Sequence, residues 1–85
     1  MENTQDLIFK GYRNFKGKKD PEKVYFVLNF MTQPIVTDKV AYFQDIDIFV
    51  DKEVYNNFIK SNDLLSNVEV NCHIVGNKVQ YIIAD

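Results

Sequence analysis

The residues best equipped for chemistry, by type and by spacing, lie between Lys10 and Lys23. Six basic side chains (Lys10, Arg13, Lys16, Lys18, Lys19, Lys23) stand there against two acids (Asp20, Glu22), a local balance of +4. Residues 1–9 carry −2 and residues 24–85 carry −4, which together give the chain its net charge of −2. An acidic chain thus gathers its positive charge in one early segment, and the rings of Phe9, Tyr12, Phe15 and Tyr25 are interleaved with it. Cations that track phosphates beside rings that stack on bases are the parts of a groove for single-stranded nucleic acid. Lysines also gather at solvated β-hairpin tips, so the segment fits that plainer role as well.

Enzymatic chemistry finds little material. His73 is the only histidine, so one chain cannot build a two-histidine metal site. Cys72 and His73 are adjacent, and neighbouring strand residues point to opposite faces, which rules out a nucleophile–base pair. Cys72 reads as a small buried apolar side chain and His73 as an exposed strand residue. Asp45 and Asp47 share a strand face about 7 Å apart. Such a pair could hold a hard cation or act as acid and base; an outer face pairing with lysines of a neighbouring strand is the simpler role. Gly11, Gly17 and Gly76 fall in separate turns and form no phosphate loop. The expectation is a protein that is not an enzyme, with no catalytic residue, metal or cofactor.

Eighty-five residues suit one domain. Hydrophobic residues at 46% and aromatic residues at 14% are too frequent for a disordered chain. No apolar run approaches the roughly 20 residues that span a bilayer. The polar, acidic opening lacks signal-peptide character, and the lone Cys72 has no internal disulfide partner. A cytoplasmic protein without membrane association is therefore expected. The sequence pI near 5.3 argues against broad charge neutralisation of duplex DNA but leaves room for a local basic groove.

These candidates need elements to hold them. Residues 1–6 read as a flexible polar lead-in and 7–85 as the single domain. Residues 7–15 have strand character, with Gly11 marking a bulge or bend. Residues 17–22 are turn material broken at Asp20-Pro21. In 24–31, Val24, Phe26, Leu28 and Phe30 share a core face, while Tyr25, Val27, Asn29 and Met31 share the other. A connection over 32–39 carries Pro34 and a short edge segment at Ile35-Val36. A long strand over 40–50 follows, with Ile46, Ile48 and Val50 on one side and Asp45, Asp47 and Phe49 on the other. Asp51 suits a helix N-cap before a helix over 52–60, with Val54, Tyr55, Phe58 and Ile59 as its apolar stripe. Leu64-Leu65 reads as a core plug. Strands over 68–75 and 78–84 flank a two-residue turn at Gly76-Asn77. Tyr25, Phe15 and Phe43 are the rings expected to be exposed.

The resulting expectation is a mainly β fold: a small five-stranded OB-like barrel with one short helix between strands 3 and 4. In length, element order, the basic aromatic hairpin Tyr12–Lys23, the aromatic strand Val24-Tyr25-Phe26-Val27-Leu28 and the segment Asp47–Lys52 leading into a helix, the chain resembles the small OB-fold single-stranded-DNA-binding proteins of filamentous phages and of mobile elements in low-GC bacteria. The resemblance covers most of the chain as a pattern, not as a residue signature; the acidic total, Asp45 and Asp47 depart from it. It implies that a ligand crosses the second and third strands between the first and last hairpin loops. The implied nucleic-acid-binding residues are Arg13, Phe15, Lys16, Lys18, Lys19, Tyr25 and, at the far loop, Lys78.

The function expected on these grounds is non-catalytic binding of single-stranded DNA, or RNA, with little sequence preference, by a dimer or cooperatively along a strand, in phage, plasmid or mobile-element DNA metabolism. The competing expectation is a phage or plasmid accessory protein that docks on a host or replication protein through Asp45, Asp47, Asp51, Glu53 and Glu69.

Overall fold

The computed structural model describes residues 2–83. In chain order it contains β1 (Glu2–Lys16), β2 (Val24–Thr32), β3 (Ile35–Val36), β4 (Ala41–Tyr42), β5 (Asp45–Val50), α1 (Lys52–Ser61), β6 (Asn67–Val75) and β7 (Lys78–Ile82). Five of the strands form one antiparallel sheet in the order β5-β2-β1-β6-β7, curled into a half-barrel; β3 and β4 pair separately.

The sheet grows outward from β1 and β2. β1 pairs with β6 through residues 2–8 and with β2 through residues 7–16, so one strand carries both halves of the sheet. Alternation sends Leu7 and Phe9 of β1, Leu28 and Phe30 of β2, Ile48 of β5 and Val70 of β6 to the inner face, where all are buried. Each such Leu or Phe stabilises the fold by about 1.5–3 kcal/mol relative to an exposed side chain. The helix covers this face. Its Phe58 ring lies 4.9 Å from Phe9 and 5.6 Å from Phe30, and its buried Tyr55 lies 4.9 Å from Phe26. Asp51 starts the helix by accepting from the Val54 N–H at 2.9 Å, and Asn62 ends it by donating both its backbone and side-chain N–H to the Phe58 carbonyl.

The strand expected over 40–50 is broken, and this moves the helix: α1 follows the fifth strand of the chain instead of lying between strands 3 and 4. Pro34 has no N–H with which to continue the β2 ladder. The chain then turns on Thr37, whose N–H donates to the Val40 carbonyl at 2.8 Å and whose Oγ1 accepts from the Val40 N–H at 3.0 Å. That turn makes the β3–β4 hairpin. Gln44 folds back on buried Thr32, donating to its Oγ1 at 3.0 Å, and only then does β5 join the sheet.

Two smaller points concern the ends of β1 and α1. Residues 2–6 of the polar lead-in expected over 1–6 pair along β6 from Glu2↔His73 to Asp6↔Glu69, because a ladder needs backbone groups rather than apolar side chains; residue 1 lies outside the described residues. Gln5 adds an anchor by accepting from the Tyr81 hydroxyl at 3.0 Å. Leu64 and Leu65 do not plug the core; they are 57% and 71% exposed. Leu65 takes a left-handed φ of 67°, and its N–H donates to the Phe9 carbonyl at 2.7 Å, so backbone bonding and not side-chain burial holds this turn. The two-residue turn at Gly76-Asn77 is present, with Gly76 at φ 66°.

Candidate nucleic-acid interface

A bulge in β1 determines which residues reach the outer face. Phe9 pairs with Phe30, but Gly11 pairs with Asn29, so Lys10 is an extra residue and the register shifts there. Before the bulge, odd-numbered residues of β1 point inward. Beyond it, Tyr12 and Asn14 face in, opposite Leu28 and Phe26, while Arg13 and Phe15 face out, opposite Val27 and Tyr25. Tyr12 lies against Tyr55 at 5.8 Å, and Asn14 donates to the Tyr55 hydroxyl at 3.3 Å, which ties the inward half of this segment to the helix.

On the outer face three strands contribute one ring each. Phe15 and Tyr25 stack with centroids 5.5 Å apart and planes at 26°. Phe49 of β5 stands edge-on to both, 6.3 Å from each. Arg13 lies over the Phe15 ring and Lys23 over the Tyr25 ring, each 5.2 Å from the centroid. A guanidinium or ammonium so placed is attracted by the ring face. Beneath the rings, Val27 is fully buried although it faces away from the main core, because Arg13 and Phe49 flank it across the sheet. Phe49 is 60% exposed against 37% for Phe15, and Tyr25 is half-buried. The ring with the most open surface is thus Phe49.

The alternation of β5 places Phe49 on this side of its strand but does not assign it to the site; the rings expected to be exposed are Tyr25, Phe15 and Phe43. Phe43 is exposed, but on the link between β4 and β5. The signal for Phe49 is the cross-strand row Arg13–Val27–Phe49, and a row becomes visible only once both pairings of β2 are known.

The basic loop adjoins the rings. Phe15, Tyr25 and residues 16–20 surround a largely apolar concavity of about 470 Å³, with Lys16, Lys18 and Lys19 on its walls. The loop is held shut by the Gly17 N–H donating to the Lys23 carbonyl at 2.8 Å and the Lys23 N–H donating to the Asp20 carbonyl at 3.0 Å. Gly17 is required by close approach: a Cβ there would stand 2.9 Å from the Asp20 carbonyl oxygen and 3.1 Å from the Tyr25 ring.

Further along the same face the acids are paired. Lys10 donates to Asp45 at 2.9 Å, Asn29 donates to Asp47 at 2.7 Å, and Arg13 stands 3.7 Å from the second oxygen of Asp47. Six of the seven residues expected to bind, Arg13, Phe15, Lys16, Lys18, Lys19 and Tyr25, therefore gather on or beside one face. Lys78 does not join them. It pairs with Val75, beyond the Glu2 end of β1, whereas the basic loop leaves the opposite end. Cys72 is buried, as its strand position implies.

Among the described residues no group of three or more His, Cys, Asp or Glu could hold a metal ion, and no helix is long and apolar enough to cross a membrane. Comparison with protein-family models, with curated proteins and with solved structures finds no match to this chain.

Proposed function

We propose that this protein binds single-stranded nucleic acid across the outer face of β1, β2 and β5, without catalysing a reaction. The observation that carries the reading is the ring triad Phe15, Tyr25 and Phe49 on the outer face, with Arg13 and Lys23 over two of its rings and a lysine-rich loop at its edge. Every base has a π-face, so stacking on these rings is tolerant of sequence, while the lysines neutralise phosphates. The fold reading that accompanies it is an OB-like barrel left open at one seam. Numbered as they occur, the five strands of the main sheet run 3-2-1-4-5, and β5 and β7 approach each other across a cleft of about 220 Å³ bordered by Ile48, Val50, Tyr81 and Ile83. In such barrels the face of the second and third strands, with the first and last hairpin loops, takes oligonucleotides. A single triad offers room for few bases, so a dimer or a cooperative array along the strand follows from the small site.

The test is fluorescence anisotropy of a labelled dT oligonucleotide of about 20 nucleotides. Four phosphate contacts, through Lys16, Lys18, Lys19 and Lys23, give a salt exponent near −3 and about a hundredfold loss of affinity between about 50 and 300 mM salt. The double variant Lys16→Glu with Lys18→Glu should abolish binding. Equal affinity at both salt concentrations, or full binding by the double variant, overturns the reading.

The alternative, docking of a host or replication protein on the acidic side chains, gains little from Asp45, because Lys10 already occupies it.

A further inference from the structure

The outer face is chemically divided. Rings occupy the half near the basic loop, and beside them, toward Lys10, lies a shallow basin of about 380 Å³ bordered by Gly11, Arg13, Asn29, Asp45 and Asp47. Its floor is open at Gly11, where an added Cβ would meet nothing within 4 Å. Phe49 and Asp47 are two residues apart on one face of β5, a spacing of about 7 Å. A base stacked on the exposed Phe49 ring therefore has one edge within reach of the basin.

Resting on the nucleic-acid reading above, we infer that Asp47, positioned by Asn29, reads the edge of the base stacked on Phe49 and makes this one position favour cytosine over thymine. The bonding state of the carboxylate supports the assignment. Asn29 donates to one oxygen at 2.7 Å, which fixes the orientation of the group. The other oxygen has only Arg13 near it, at 3.7 Å, too long for a hydrogen bond, and the side chain is 48% exposed. A carboxylate has about four acceptor positions, so this oxygen has room for a donor from the ligand. Cytosine presents an amino group at C4, whereas thymine presents a carbonyl oxygen there. The first donates to Asp47; the second sets two acceptors against each other. Arg13 can serve the O2 acceptor, which is common to both pyrimidines. Asp45 does not compete, since Lys10 occupies it at 2.9 Å. The preference is local: the remaining bases and the phosphates are held by the rings and lysines without regard to sequence.

The experiment compares dissociation constants of dC and dT homopolymers of about 20 nucleotides, at one salt concentration and slightly alkaline pH, for the parent protein, Asp47→Asn and Phe49→Ala. One charge-assisted hydrogen bond gained, against one acceptor pair opposed, predicts that the parent binds dC at least about tenfold more tightly. Asp47→Asn should remove that ratio or invert it, because an amide can donate to the thymine carbonyl. Phe49→Ala should weaken both homopolymers. Equal affinity of the parent for dC and dT, or a ratio that survives in Asp47→Asn, overturns the inference while leaving general strand binding in place. Failure of both homopolymers to bind removes the nucleic-acid reading and this inference together.

Discussion

Phe49→Ala separates binding from folding more cleanly than any other change on the outer face. Phe49 retains 60% of its accessible surface, so only about two-fifths of the side chain is buried and lost on truncation. Full burial of a Phe is worth about 1.5–3 kcal/mol, which leaves about 1 kcal/mol for the stability change, to which partial uncovering of Val27 adds. Loss of one base-stacking platform, by contrast, amounts to about 1–3 kcal/mol of binding, or roughly 5- to 150-fold in dissociation constant. Anisotropy titration of a dT oligonucleotide reads the second quantity, and a urea transition reads the first. Phe43→Ala is the control, because Phe43 is also exposed but lies on the link between β4 and β5. The reasoning fails if Phe49→Ala binds within twofold of the parent while remaining folded, or if Phe43→Ala loses as much affinity as Phe49→Ala.

Other expectations follow from single contacts. Gly17→Ala should lower stability by about 1–3 kcal/mol, as for other overpacked sites, and weaken oligonucleotide binding, since its Cβ meets the Asp20 carbonyl oxygen at 2.9 Å. Gly11→Ala should change stability by less than about 1 kcal/mol, because its Cβ enters open space; urea midpoints of the two variants, measured together, check both statements. Burial, with a smaller contribution from Cys72, raises the Tyr81 hydroxyl above its ordinary pKa of 10.0. The unfolded chain then loses this proton before the folded one does, so stability is level below about pH 10 and falls as pH rises from there through the folded-state value. Urea midpoints across that range should show the fall, and Tyr81→Phe should reduce it.

The parts of this fold legible from sequence are those governed by local rules. Asp51 before an apolar stripe at helical spacing announces the helix, and the alternation of Phe26, Leu28 and Phe30 announces the inner face of β2. Gly11 within a strand pattern announces the bulge. What escaped depends on partners distant in sequence. Whether residues 40–44 continue β5 is decided by Gln44 bonding to Thr32, and whether residues 2–6 join the sheet is decided by β6. The binding candidates divide in the same way. Arg13, Phe15 and the lysines are visible as a cluster because they are neighbours in sequence. Phe49 sits between Ile48 and Val50 in an alternating strand, and only the row it shares with Val27 and Arg13 marks it as part of the face.

The extra residue at Lys10 also makes the site a matter of parity. Leu7 and Phe9 anchor the first half of β1 at 0% and 1% exposure, and plain alternation carried on from them would turn Arg13 and Phe15 toward Tyr55 and Phe26 and put Tyr12 and Asn14 outside. The bulge absorbs Lys10 and so restores the ring triad to the outer face. Deleting Lys10 would remove the bulge and keep every pairing beyond it, from Gly11↔Asn29 to Lys16↔Val24, in the same sense. For a gene encoding this chain, loss of the Lys10 codon therefore spares the outer face, whereas loss of the Asn14 codon would turn Phe15 inward.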